Sequence, residues 1–176
     1  MLNKQFTRRN LCLGTAALTI TACTKTGAAA QAKGVITETN VSENTGNTDW
    51  ANLSEQDWQQ RLTDVEFHIL RKEGTERPWT SPLNDNKAKG TYACAGCGLP
   101  LFTSDQKFDS GTGWPSFFDV IEGSVGTKSD RKLIALRTEY HCARCGGHQG
   151  HVFKDGPAPT GLRYCNNGVA LDFIEA

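Results

Sequence analysis

The chain has 176 residues, 38 % of them hydrophobic, with 19 basic and 19 acidic side chains and no net charge. That is one domain's worth of chain, long enough to bury a core, in the composition of an ordinary soluble protein. The absence of a basic excess argues against nucleic-acid binding, and 18 glycines favour strands and turns over a helical bundle.

The first residues stand apart. "MLNKQFTRRNLCLGTAALTITAC" opens with Lys4, Arg8 and Arg9 and continues in an apolar run from Leu11 to Ala22. This pattern predicts an export signal over residues 1–22, too short for a comfortable permanent span. "TRRNLCL" resembles a twin-arginine signal, which carries folded proteins across a membrane. "ITAC" resembles a lipoprotein box, with Cys23 the acylated first residue of the mature chain. Ordinary cleavage near "GAAAQA", discarding Cys23, is the alternative. Removing residues 1–22 takes away three basic residues, leaving 16 against 19 acidic and a net charge of −3. The expected location is outside the cytoplasm, in a bacterial periplasm or anchored to the envelope, touching a membrane only through a lipid on Cys23. Residues 23–49 are rich in Thr, Ala, Gly, Asn and Ser and predict a flexible linker. The folded domain is expected over residues 50–176.

It should begin with two short helices. In "LSEQDWQQRL", Ser54 is a helix N-cap with Asp57 in the reciprocal box position, and Leu53, Trp58 and Leu62 form a buried stripe. "DVEFHILRKEG" predicts a second helix, closed by Gly74. "TERPWTSPLND" is a proline-broken loop. From Gly90 onward the pattern is of short strands: "GTYAC", "PLFTS", "SFFDVI", "SVGTKSD", "KLIALRTEYHC", "HVFKD", "RYCN" and "GVALDFIE".

Seven cysteines punctuate this pattern. Cys94 and Cys97, and Cys142 and Cys145, make two C-x-x-C knuckles, each followed by a glycine that lets the backbone turn. Four thiolates suit a tetrahedral zinc ion, here joining two hairpins separated by 44 residues. Disulfides are the alternative in an oxidising compartment. A protein folded before export can load zinc while its thiols are still reduced.

Cys165 has no such partner. A free cysteine is commonly a small buried hydrophobe. Here Arg163 lies two residues away, on the same side of a strand, where its charge favours the thiolate; Asn167 continues that face. "GGHQGHVFKDGP" supplies His148, His151 and Asp155. Each histidine is either a structural hydrogen-bonding group, a metal ligand, or a group that activates a thiol or donates a proton. Trp114, ahead of Pro115 in "FDSGTGWPSF", is expected on a loop and not in a regular strand, because proline restricts the residue before it. Its indole either walls an apolar pocket or plugs the core.

The ordered set "CAGCG", "FDSGTGWPSF" and "CARCGGHQGHVFKDGPAPTGLRYCNNGVALDF" resembles the B-type methionine sulfoxide reductases over residues 53–176. The resemblance implies a mainly β fold of two antiparallel sheets pinned by a four-cysteine zinc site, with short N-terminal helices. It implies reduction of the R epimer of methionine sulfoxide in oxidised proteins and peptides. Cys165 would be the nucleophile and become a sulfenic acid. Arg163, with Asp155, would favour its thiolate. His148, His151 and Asn167 would bind or protonate the sulfoxide oxygen, and Trp114 would hold the methyl group. Many family members read "SGCGWPSF", with a second cysteine that resolves the sulfenic acid. This chain has Thr112 there. A small thiol or thioredoxin-like partner is therefore the expected reductant. A non-enzymatic zinc-stabilised binding module and a thiol peroxidase are the rival readings, with nucleic-acid binding a distant third.

Overall fold

Two capping boxes start the folded chain in the computed structural model, which describes residues 48–130 and 137–176. The readings of residues 1–22, of Cys23 and of the linker to residue 47 lie outside the described residues. In α1 (Glu55–Arg61), the Ser54 hydroxyl accepts from the Asp57 N–H at 3.2 Å while the Asp57 carboxylate accepts from the Ser54 N–H at 3.0 Å. The expected box is present, with two otherwise unpaired backbone donors satisfied by side chains. Thr63 and Glu66 repeat the device ahead of α2 (Asp64–Lys72), a second box that the sequence reading missed. At the end of α2 the left-handed residue is Glu73, with φ 54°, and not Gly74. Gly74 serves close approach: a Cβ there would meet the His68 ring at 2.5 Å.

Nine strands follow among the described residues: β1 (Gly90–Cys94), β2 (Pro100–Thr103), β3 (Lys107–Phe108), β4 (Ser116–Phe117), β5 (Val125–Asp130), β6 (Arg137–Cys142), β7 (His148–Phe153), β8 (Arg163–Asn166) and β9 (Leu171–Glu175). They form two antiparallel sheets, one ordered β2-β1-β9 and the other β3-β4-β8-β7-β6-β5. The expected fold class is the one observed. Four boundaries differ from expectation. "SFFDVI" is a strand only at Ser116–Phe117; the Asp119 carboxylate then accepts from the Val120 N–H and turns the chain away. β7 begins three residues before "HVFKD", "GVA" is a single 3₁₀ turn ahead of β9, and β3 was not anticipated. The early part of "KLIALRTEYHC", residues 132–136, lies outside the described residues.

Aromatic side chains join the sheets. Phe102 of β2 stacks on Phe117 of β4 with centroids 4.0 Å apart, and Tyr92 of β1 meets Phe117 edge-on at 5.0 Å. Tyr140 and Tyr164 form a T-shaped pair on the larger sheet. Trp58 of α1 and Ile69 and Leu70 of α2 are buried with this cluster, and Leu53 packs against it half-buried. Each fully buried side chain of this kind stabilises the fold by about 1.5–3 kcal/mol. The helices thus cover one end of the core, with Leu70 against Gly147, just after the second knuckle.

Candidate active site and metal cluster

Four sulfurs meet where β1 and β6 end. Cys94 closes β1 and Cys142 closes β6, and Cys97 and Cys145 sit on the turns that follow. All four Sγ atoms lie within 4.8 Å of one another, with Cys94 3.7 Å from Cys145 and Cys97 3.5 Å from Cys142. A disulfide requires about 2.05 Å, so these are four thiols and not two bridges. Metal–sulfur bonds near 2.3 Å give a tetrahedron with edges of about 3.8 Å, which matches the spacing. Gly98 and Gly146, at φ 71° and 67°, turn each knuckle back so that their N–H groups donate to the carbonyls of Cys94 and Cys142. The Gln149 amide donates to the Cys94 sulfur at 3.3 Å. The thiols share their protons unequally: contact with Cys145 holds Cys142 far below the thiol range, and contact with Cys142 pushes Cys94 far above it. Full ionisation of such a cluster needs a cation, and the buried site suits a structural metal ion.

Cys165 lies inside the larger sheet. It is paired with Ser116 of β4 on one side and His151 of β7 on the other. The half-buried thiol opens on a cavity of about 120 Å³ whose walls include Trp114, His151, Asn167, Arg137, Phe153 and Thr75. Gly150 makes the arrangement possible, because a Cβ there would lie 3.0 Å from the Cys165 carbonyl carbon. Burial pushes the Cys165 thiol up; the Arg163 charge and the Thr112 hydroxyl pull it back only in part. Arg163 therefore acts with the expected sign, but desolvation outweighs it.

Arg163 and Asp155 stand outside the cavity lining. The guanidinium forks onto Asp155, with Nε–Oδ1 and Nη2–Oδ2 both 2.9 Å, and lies 4.3 Å from the Phe153 ring centroid. That pair holds the Asp155 carboxyl below its usual range. Trp114 precedes β4, off the strand as expected, and its Nε1 donates to the Glu76 carbonyl at 3.1 Å. Asn167 lies beyond the end of β8, so strand alternation does not place it. Its Oδ1 accepts from the Glu76 N–H and its Nδ2 donates to the Gln149 carbonyl, both at 3.0 Å.

The histidines share a face for a reason hidden in the register. Residues three apart on a regular strand point to opposite sides. Between β6 and β7, Tyr140 pairs with Gly150 but His141 pairs with His148, leaving Gln149 as a bulge. The bulge shifts the parity, and the rings of His148 and His151 come to lie 5.5 Å apart. His151 reaches the cavity, and its Nε2 is 2.8 Å from Asp130, which also pairs with Arg137 at 2.7 Å. Burial pulls the His151 pKa down against the opposing pull of Asp130. His148 is buried behind the lining, with Nδ1 2.9 Å from Glu139.

Four contributors escaped the sequence reading: Asp130, Arg137, Glu139 and Glu76. Arg137 and Glu139 alternate on β6, a weak sign of a charged face. Glu76 carried no signal. It sits in a proline-broken loop, yet its buried carboxylate accepts from the N–H groups of Gly168 at 2.5 Å and Val169 at 3.2 Å. It thereby fixes the turn that follows β8.

Residues 62–175 match the SelR domain family. The chain is 56 % identical over 121 residues to "Peptide methionine sulfoxide reductase MsrB" of Methanosarcina barkeri, covering 68 % of this chain and 85 % of that protein. It is 54 % identical over 123 residues to the protein of the same description from Agrobacterium fabrum, covering 69 % and 91 % of the two chains. A solved structure, "Crystal Structure of Mis18 'Yippee-like' Domain", aligns at a TM-score of 0.39 and 18 % identity, covering 50 % of this chain and 97 % of that one. Matched across its folded part by domain and by relatives, the chain belongs to the B-type methionine sulfoxide reductases, a family of oxidoreductases.

Proposed function

We propose that the domain reduces the R epimer of methionine sulfoxide in oxidised proteins and peptides, with Cys165 as nucleophile. The observation that carries this reading is the meeting of Cys165, Trp114 and His151 around one small cavity. The Cys165 thiolate attacks the sulfoxide sulfur and forms a sulfur–sulfur bond, while the oxygen takes up two protons and leaves as water when the S–O bond breaks. Water then attacks the Cys165 sulfur and loses a proton, the sulfur–sulfur bond breaks, and methionine leaves, reduced by two electrons, with Cys165 oxidised by two electrons to the sulfenic acid. The Trp114 face forms an apolar wall for the S-methyl group. His151, close to the thiol and held by Asp130, donates to the oxygen. Asn167 still has one amide N–H for the same oxygen, and Arg163 and Thr112 favour the thiolate. His148, with Glu139, acts on the site only through its neighbours.

Thr112 stands beside the sulfur where a resolving cysteine would act. Regeneration therefore takes an external dithiol of thioredoxin type, or two small thiols, releasing water and leaving a disulfide on the reductant. Zn²⁺ is the ion best suited to Cys94, Cys97, Cys142 and Cys145, with a structural role. The N-terminal stretch supports export and an envelope location, with Cys23 acylated. N-terminal mass spectrometry of periplasmic and membrane fractions tests this, and an intact N-terminus in the cytosol rejects it.

The central experiment is turnover of resolved R and S sulfoxide peptides with dithiothreitol, alongside Cys165→Ser. Turnover of R alone, abolished in the variant, and a Cys165 sulfenic acid without an intramolecular disulfide after one turnover are expected. Reaction with hydrogen peroxide but no sulfoxide would point to a thiol peroxidase. No reaction with either would leave a metal-stabilised binding module.

A further inference from the structure

Among the described residues, the most exposed large aromatic group lies beside the active-site loop and has no part in the chemistry above. Trp79 is 67 % exposed and has φ 67°, a left-handed conformation that a bulky residue other than glycine seldom adopts. Backbone strain of this kind costs about 1–3 kcal/mol and collects at functional sites. Two contacts hold it. The Trp79 N–H donates to the Gly113 carbonyl at 2.7 Å, and the indole lies so close to Gly113 that a Cβ there would come within 2.8 Å of it. The next residue along is Trp114, which walls the Cys165 cavity.

Trp79 also walls a second hollow, of about 380 Å³, with Asn84, Ser104, Lys107, Phe108 and Asp109. The loop that leads from Asp109 to Trp114 therefore borders both hollows, with Trp79 against its Gly113. The second hollow is open, of mixed charge, and offers amide, hydroxyl and aromatic groups. Those are contacts for an extended polypeptide of no fixed sequence. Such a chain advances about 3.3 Å per residue, so residues close to one bound over Cys165 reach this cleft.

We propose that Trp79 determines specificity for polypeptides: its indole receives a residue flanking the oxidised methionine, and the adjoining cleft receives the chain beyond. This rests on the reductase reading of the Cys165 cavity. An indole offers broad contact area at small entropic cost, which suits a tolerant docking point.

The test compares Trp79→Ala, Trp79→Gly and Trp79→Phe with the unaltered protein, on a peptide with residues on both sides of R-methionine sulfoxide and on N-acetylmethionine R-sulfoxide. Trp79→Gly keeps the left-handed backbone without steric cost. The expected result is a KM for the peptide raised about five- to tenfold in the Ala and Gly variants, with kcat unchanged, the small substrate unaffected, and Phe restoring most of the effect. Equal losses on both substrates would mean that Trp79 merely braces Gly113, and unchanged constants would mean that it does nothing; either overturns the proposal. Failure of the unaltered protein to reduce any sulfoxide would overturn the reductase reading itself, a result distinct from these.

Discussion

At the scale of single residues, two ionisable groups are shifted in opposite directions. Burial raises the Cys165 thiol and lowers His151. The proposed mechanism needs the Cys165 thiolate and the His151 imidazolium together. Below the lowered His151 pKa the thiolate fraction falls as pH falls. Above the raised Cys165 pKa the imidazolium fraction falls as pH rises. Between the two, the changes cancel. The expected kcat/KM profile is therefore a plateau across neutral pH, with an acid limb from His151 and an alkaline limb from Cys165. Thr112→Val removes one donor to the sulfur. A hydrogen bond to a charged group contributes about 1.5–3 kcal/mol when buried; for this half-buried thiol the plateau should drop by about three- to tenfold, with the alkaline limb moving to higher pH. The rate of iodoacetamide alkylation of Cys165 against pH reads the thiol directly. An unmoved alkylation curve would remove Thr112 from the site.

At the scale of elements, the site depends on how closely β7 and β8 approach. Gly150 pairs with Asn166 across β7 and β8, and a Cβ there would run into the Cys165 carbonyl, leaving no room for a side chain. Gly150→Ala should lower the unfolding free energy by about 1–3 kcal/mol, the ordinary cost of overpacking, and reduce kcat/KM by more than about tenfold, because the Cys165 backbone must move and a 1 Å misplacement can cost about 10²-fold. Gly98→Ala is the contrasting case. Its φ is 71° with nothing within 4 Å, so only backbone strain of about 1 kcal/mol is expected there, and it lies away from the thiol. Urea midpoints and steady-state rates for both variants separate crowding from strain. Equal effects on rate would mean that the β7–β8 spacing does not govern Cys165.

At the scale of the whole molecule, the four-sulfur cluster joins the end of β1 in the smaller sheet to the end of β6 in the larger one. A structural zinc ion contributes about 10–16 kcal/mol of apparent binding free energy, while a domain of this size has only about 5–15 kcal/mol of net stability. The metal term is large enough to decide whether the domain folds. Elemental analysis should find one zinc per chain. Its removal by a chelator, or Cys94→Ser, should abolish the cooperative melt seen by near-ultraviolet circular dichroism. An unchanged melt in the metal-free protein would show that the aromatic core holds the sheets together unaided.

Much of this architecture could be read along the chain, because its signals are local. The Ser54 box, the C-x-x-C knuckles with their following glycines, and the alternation that sets Arg163 beside Cys165 depend on residues a few places apart. The resemblance rested on those same stretches. What the chain alone left open depends on contacts between distant segments. The parity of His148 and His151 is reversed by a bulge that exists only when β7 pairs with β6. The acids that hold the histidines, Asp130 and Glu139, come from neighbouring strands. Glu76 reaches the turn after β8 from more than ninety residues away. The net direction of the Cys165 shift could not be read along the chain, because nearby charge is visible in sequence and burial is not. Local chemistry named the candidate groups; only tertiary packing decided which of them face the cavity and how much water surrounds each one.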